Sequence, residues 1–409
     1  MVHMGMGLIC TLFPLVFQAT WPVFLLAGTA VAALLVVRSS TVLRTTIGSS
    51  LHGVERSSLG EIFFPVAVAA VWYFSLEKPL YFSLSILVLT LADAFAALVG
   101  TKYGQQQYTT MEGYKTWEGS FIFFAATFLC IHIPLLLLTT TGRAESVLIA
   151  LLIGILVMIV EAVAWRGLDN LFIPLCVCIL LNVYGSFSAS QILVRIAFIL
   201  LVIVILFFLR PRTKLDDASI LGASLITYLA VTAGNWQWAV APVLVFVNYV
   251  LLSKAKNAVG ERIHNIHALL AVTLPGLLWL LLYYRQQQQI FFFSYNLAYM
   301  AELVCIFIAQ WAFEFKERSL VRITLKSSLL SFAMIMGPCF IFIYREVGFA
   351  GVALAFVCAM ISGQLFRFTQ PQIRDCPLDN QRFFRQGLIG FGISAVPWVG
   401  MVFSISWPR

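Results

Sequence analysis

Residues 91–120 read LADAFAALVGTKYGQQQYTTMEGYKTWEGS. The stretch begins inside one apolar run and ends where the next begins, so it reads as a polar connection of about twenty residues between two membrane segments. Asp93 then lies within hydrocarbon or at its edge. A carboxylate there costs about 2.5–3.5 kcal/mol, which makes it a candidate functional residue, with an acid that snorkels to water from a helix end as the plain alternative. Ala94, Ala96, Ala97 and Gly100 surround it with small side chains, and Asp93 and Gly100 fall on nearly the same helical face, so a helix or ligand can approach closely. Lys102 and Gly104 follow, then Lys115, Thr116, Glu118 and Gly119 just before the next apolar run. One acid at the membrane edge and two lysines beyond it suit phosphoryl transfer. A carboxylate can hold Mg²⁺ while ammonium groups and glycine-flanked backbone hold phosphate oxygens. The sequence has neither a Walker-type nor a GxGxxG loop, so a nucleotide site here is of another kind.

The rest of the chain fits a membrane setting. Of its 409 residues, 61% are hydrophobic and 11% charged, and its mean hydropathy is +0.94. Apolar runs of membrane-spanning length recur along it, which excludes a soluble fold. The expectation is an all-α polytopic bundle of about 14 helices (13–15), the first segment at 7–37 and the last at 386–405. Gln18 and Trp21-Pro22 are candidate breaks in the first segment. No charged leader or small-residue cleavage site precedes it, so no removable signal peptide is expected. With this segmentation, 20 of the 26 Lys and Arg fall in alternate connections, five fall on the opposite side, and Arg195 lies inside a segment. The rich side is expected to be cytoplasmic. The net charge of +8 is then mostly a record of topology, and no nucleic-acid partner is implied. The connection carrying Lys102 and Lys115 and the turn carrying Asp169 fall on that same side. The eight cysteines form no CxxC pair and read as buried free thiols.

Several of these residues also carry a resemblance. The order Asp93-x-x-Ala96-x-x-x-Gly100, then Lys102 and Gly104, then Lys115-Thr116-x-Glu118-Gly119 resembles the polyprenol and phytol kinases. These membrane enzymes are related to dolichol kinase and to a CTP-dependent diacylglycerol kinase, and they phosphorylate long-chain alcohols, commonly from CTP. A later stretch, Glu161-Ala-Val-Ala-Trp-Arg-Gly-Leu-Asp169-Asn170-Leu-Phe-Ile-Pro174, looks like that family's E…DN…P element. Without the resemblance, the LDN turn would read as a helix N-cap. The loop before Gly60 and Pro65, which carries Arg56, is similar to the family's equivalent loop, although Arg56 also reads as a positive-inside anchor. Family members usually begin with R-K-x-x-H, and His3 matches the last residue of that element, which would place the basic pair upstream of Met1.

The resemblance implies a kinase-like domain over 1–209, with CTP or another nucleotide as donor and Mg²⁺ or another divalent cation as cofactor. It implies Asp93 and Asp169 on the cation or on activation of the hydroxyl, with Glu161 as a third ligand. Lys102 and Lys115 would neutralise phosphate charge, and Asn170 and Glu118 would orient metal or base. Gly100, Gly104, Thr116, Gly119 and Arg56 complete the expected nucleotide set.

A basic-acidic linker, RPRTKLDD, opens the second half, so residues 210–409 are expected to form a second bundle in tandem. This half resembles more weakly a membrane family with a plant member that phosphorylates phytyl phosphate, through Gly222, the Trp236/Trp238 turn and Ser253-Lys254. Where that family carries an Asp element this chain offers only Glu302, which marks the half as a candidate degenerate domain. The resulting expectation is a multi-pass enzyme, in a bacterial inner membrane or its equivalent. It transfers phosphate to an isoprenoid-type alcohol at its cytoplasmic face, with lipid alcohol, nucleotide and bilayer as partners. The alternatives are a phosphatidate cytidylyltransferase, which would release pyrophosphate instead of a nucleoside diphosphate, and a non-catalytic transporter or scaffold.

Overall fold

The computed structural model describes residues 2–39, 59–253, 264–375 and 380–402. Arg56 lies outside the described residues. The chain is all-α apart from one small hairpin. Among the described residues, ten helices are long and apolar enough to cross a membrane, and four shorter apolar helices accompany them. The protein is an integral multi-pass membrane protein. The chain divides into two compact units, residues 1–200 and 201–409.

In the first unit, the expected 7–37 segment is three helices, α1 (Val2–Thr11), α2 (Phe13–Val16) and α3 (Thr20–Ser39). The breaks lie at Leu12 and at residues 17–19, before Trp21-Pro22. Pro14 and Pro22 each occupy the first turn of the helix that follows a break, where a proline has no intrahelical N–H bond to lose. Then come α4 (Gly60–Phe74), α5 (Pro79–Tyr103), α6 (Trp117–Leu138), α7 (Arg143–Val163) and α8 (Asp169–Tyr184). Helix α5 packs on α6, α6 on α7, α7 on α8 and α8 on α5. Four helices thus close a ring. The C-terminal half of α5, the start of α6, the end of α7 and the start of α8 share one end of it.

The stretch expected as a loop is mostly ordered secondary structure. Helix α5 continues to Tyr103, so Asp93, Gly100 and Lys102 share one helix. The next residues form a hairpin of β1 (Gln107–Thr110) and β2 (Gly113–Thr116), with Tyr108 opposite Lys115 and Thr110 opposite Gly113. The sequence supports it locally, since Tyr and Thr favour strands and Gly113 takes φ +119° after the Met111-Glu112 turn.

In the second unit, α9 (Ala189–Leu209) leads from the first unit into α10 (Asp217–Leu229), α11 (Val240–Ser253), α12 (Ile266–Gln286), α13 (Gln289–Glu314), α14 (Leu320–Ser331), α15 (Gly337–Thr369) and α16 (Asn380–Val402). Almost wholly buried, α13 packs on α11, α12, α14, α15 and α16. A π-turn at Phe332–Met336 and non-helical backbone at Ile343 and Gly348 divide the α14–α15 run into two spans. Glu302 lies fully buried at the middle of α13 and accepts a hydrogen bond from Gln386 of α16 at 2.7 Å. A cavity of about 180 Å³ opens among α10–α13 and α16, mostly apolar, with Lys214, Tyr249, His264, Gln310, Arg382 and Gln386 among the polar side chains that line it.

Candidate functional site

Directly paired residues of an antiparallel hairpin face the same side, so Tyr108 and Lys115 point together onto the ring. Tyr108 is buried, its hydroxyl 2.8 Å from Ser120 Oγ and its ring 4.8 Å from that of Trp117. That anchor carries Lys115 to the end of α7. There Lys115 Nζ donates to the Glu161 carbonyl at 2.5 Å and to Glu161 Oε1 at 2.6 Å. An ammonium has three donors, so one remains for a further acceptor.

Asp93, on α5, is partly buried and close enough to Asp169, Glu161 and Lys115 for each charge to act on it. Asp169 opens α8, and its Oδ1 accepts from the Asn170 N–H at 3.0 Å. Asp93 therefore stands within electrostatic reach of two further carboxylates and one ammonium, with every helix of the ring contributing through itself or the segment leading into it. This surplus of negative charge in a partly buried place favours a cation.

The same charges limit how that cation is held. One oxygen of Glu161, Oε1, is committed to Lys115. Among the described residues, no group of three or more His, Cys, Asp or Glu is arranged to hold a metal by itself. The expected Asp93, Asp169 and Glu161 triad is thus not a preformed cage. Asp93 and Asp169 still fit Mg²⁺, which typically takes one or two protein carboxylates and completes its shell with phosphate and water.

The remaining expected site residues separate by role. Lys102 is exposed on the last turn of α5, nine residues from Asp93 and so about 13.5 Å along the axis, with Nζ 5.2 Å from the Tyr103 ring centre. Both Glu118 carboxylate oxygens accept from the Gln106 N–H, at 3.1 and 3.3 Å, and the Trp117 N–H donates to the Gln106 carbonyl at 2.9 Å, which closes the hairpin base. Thr116 caps α6 by accepting from the Gly119 N–H at 3.2 Å. Gly100, Gly104 and Gly119 let α5 and α6 meet around Thr116. A Cβ at Gly119 would come within 2.9 Å of Thr116 Oγ1 and 3.3 Å of the Ala96 carbonyl, and one at Gly104 would overlap the Thr116 side chain. Here these small residues serve a helix crossing. Gly119→Ala is expected to cost about 1–3 kcal/mol by overpacking. Gly28→Ala, where a Cβ meets nothing within 4 Å, should stay within about 0.5 kcal/mol or stabilise. Thermal unfolding of the two detergent-solubilised variants checks the contrast.

Sequence reading missed Glu112. Its Oε1 accepts the backbone N–H of Arg166, in the turn between α7 and α8. The only local signal is a polar residue before Gly113 in a tight turn, which is a common surface pattern. His132 is a packing residue, with Nδ1 2.9 Å from Ser146 Oγ. The described cysteines are free thiols.

Compared with curated proteins, the chain is 30% identical over 176 residues to a phytol kinase of Synechocystis, an alignment covering 42% of this chain and 73% of that enzyme. The chain belongs to the phytol kinase family. No family model matches it, and no solved structure does. Membership of this family gives the acid and lysine cluster at the end of the ring a chemistry to be tested against.

Proposed function

We propose that the chain is a membrane kinase that transfers the terminal phosphate of CTP to the hydroxyl of a long-chain isoprenoid alcohol, at the end of the first unit's helix ring and on the cytoplasmic face. The observation that carries this reading is the convergence of Asp93, Lys115, Glu161 and Asp169 in a chain related to a phytol kinase. The kinase domain is then the first half of the chain.

An isoprenoid alcohol keeps its tail in the bilayer and brings its hydroxyl to the interface. Asp93 lies ten residues before the end of α5, nearer the apolar run than the hairpin does. In this reading Asp93 accepts the hydroxyl proton as the alcohol oxygen attacks the terminal phosphorus. A new O–P bond forms, the bridging P–O bond breaks, and the nucleoside diphosphate leaves. Asp169 would hold a divalent cation, which would neutralise phosphate charge, and Asn170 would orient it. Lys115, kept in place by Glu161, points its remaining N–H at a phosphate oxygen, and Lys102 meets the nucleotide farther out.

Membranes containing the protein, given radiolabelled CTP or ATP with and without phytol, geranylgeraniol, dolichol or diacylglycerol, test the reading. Label entering an alkali-stable lipid phosphate, with CDP released, is the expected result. Pyrophosphate release would identify a cytidylyltransferase instead. Chelating divalent cations is expected to stop transfer, and added Mg²⁺ to restore it, because the excess carboxylate charge otherwise repels the triphosphate.

A further inference from the structure

The hairpin touches the α7–α8 turn at two points. One is the Lys115 contact with Glu161, at the end of α7. The other is Glu112, from the hairpin's own turn, whose Oε1 accepts the N–H of Arg166. Arg166 adopts φ +53° and Gly167 follows at φ +81°. A left-handed conformation costs a non-glycine residue about 1–2 kcal/mol, so something must hold Arg166 there. A carboxylate on its N–H is a strong local restraint. The Arg166 carbonyl is used as well, accepting from the Leu59 N–H at 3.1 Å. The backbone of this residue is therefore fixed on both sides, and Asp169 follows only three residues later, at the first position of α8.

We propose that Glu112 is a positioning residue: by holding Arg166 in its left-handed conformation it sets where the Asp169 carboxylate stands relative to Asp93. This rests on the kinase reading of the same site. Glu112 does not touch the reacting atoms. It acts through the turn, and a small displacement of a reacting group can lower turnover about 100-fold.

The test uses the full chain in membranes and four variants: E112A, E112Q, R166G and E112A/R166G. E112Q keeps an oxygen acceptor and should stay within about threefold of the wild-type rate. E112A should lower kcat about 10- to 100-fold and raise the Mg²⁺ concentration for half-maximal rate several-fold, because Asp169 is displaced. A change that merely reduced the number of folded molecules would leave that midpoint unmoved. Glycine at position 166 removes the Cβ strain that Glu112 opposes, so R166G should recover part of the loss when combined with E112A. Hydrogen exchange at the Arg166 amide reads the contact without any reaction and should be about tenfold faster in E112A than in wild type. Unchanged exchange in E112A overturns the proposal, and so does faster exchange with kcat and the Mg²⁺ midpoint both unchanged. If the exchange contrast holds while wild type transfers phosphate to no alcohol, the restraint stands and the kinase reading falls.

Discussion

Asp93→Asn is expected to abolish phosphate transfer while leaving the protein inserted in membranes at the wild-type level. The substitution keeps size and shape and removes one negative charge and one proton acceptor. Loss of a general base costs about 10²–10⁴-fold, and the altered charge around the phosphates adds to that, so a fall of at least about 10³-fold is expected. Folding should not suffer. The charges of Asp169 and Glu161 act against that of Asp93, with Lys115 offsetting them, so neutralising it relieves repulsion. The variant should unfold at or above the wild-type temperature in detergent, which separates a catalytic loss from a structural one. Labelled lipid phosphate, measured against the amount of protein in the membrane, decides the outcome. Transfer within tenfold of wild type would remove Asp93 from the reaction. Asp169→Asn should behave alike, and the double variant should be little worse than either, because residues that act as one unit are not additive.

Lys115→Met has the second largest expected effect, and here activity and stability fall together. Lys115 is paired with Glu161 at 2.6 Å, with side chains 28% and 12% exposed. The other Glu161 oxygen is buried and has no hydrogen-bond partner. Methionine would leave both oxygens of a largely buried carboxylate without a partner, at a cost of about 2–3 kcal/mol after allowing for partial exposure. Lys115→Met with Glu161→Gln removes the stranded charge and should recover most of that stability. Transfer should stay at least about 10²-fold down in the double variant, because the ammonium held at the end of α7 is gone and Lys102 stands farther out. Thermal unfolding and transfer rate, measured on the single and double variants, separate the two roles. If the double variant regains transfer, Lys115 serves the fold alone.

The candidate site was readable in part for identifiable reasons. Asp93 announced itself because an acid in an apolar run is expensive, and Lys115 and Asp169 did so by their order and by the common membrane side that the charge count led one to expect. Nothing in the local sequence paired Lys115 with Glu161, which lies 46 residues away. Glu161 and Lys115 read separately as a metal ligand and a phosphate ligand, and the structure adds the contact between them. Glu118 and the three glycines read as ligand contacts, and their places at the hairpin base and the helix crossing were not legible, because charge and flexibility near phosphate look the same as charge and flexibility at a hairpin base. Glu112 was invisible, since an acid in a polar turn usually faces water.

Composition alone made this a multi-pass helical membrane protein, because long runs of apolar side chains have no other way to satisfy their backbone in lipid. The candidate acids and lysines were likewise fixed by the sequence, through their cost and their spacing. Tertiary structure decided which of them meet. Ring closure by α5, α6, α7 and α8 and the fold of residues 107–116 into a hairpin bring Lys115 and Glu112 onto the α7–α8 turn. Those contacts depend on helix packing and strand register, which are set by side chains far apart in the chain and leave no mark on any one stretch of it.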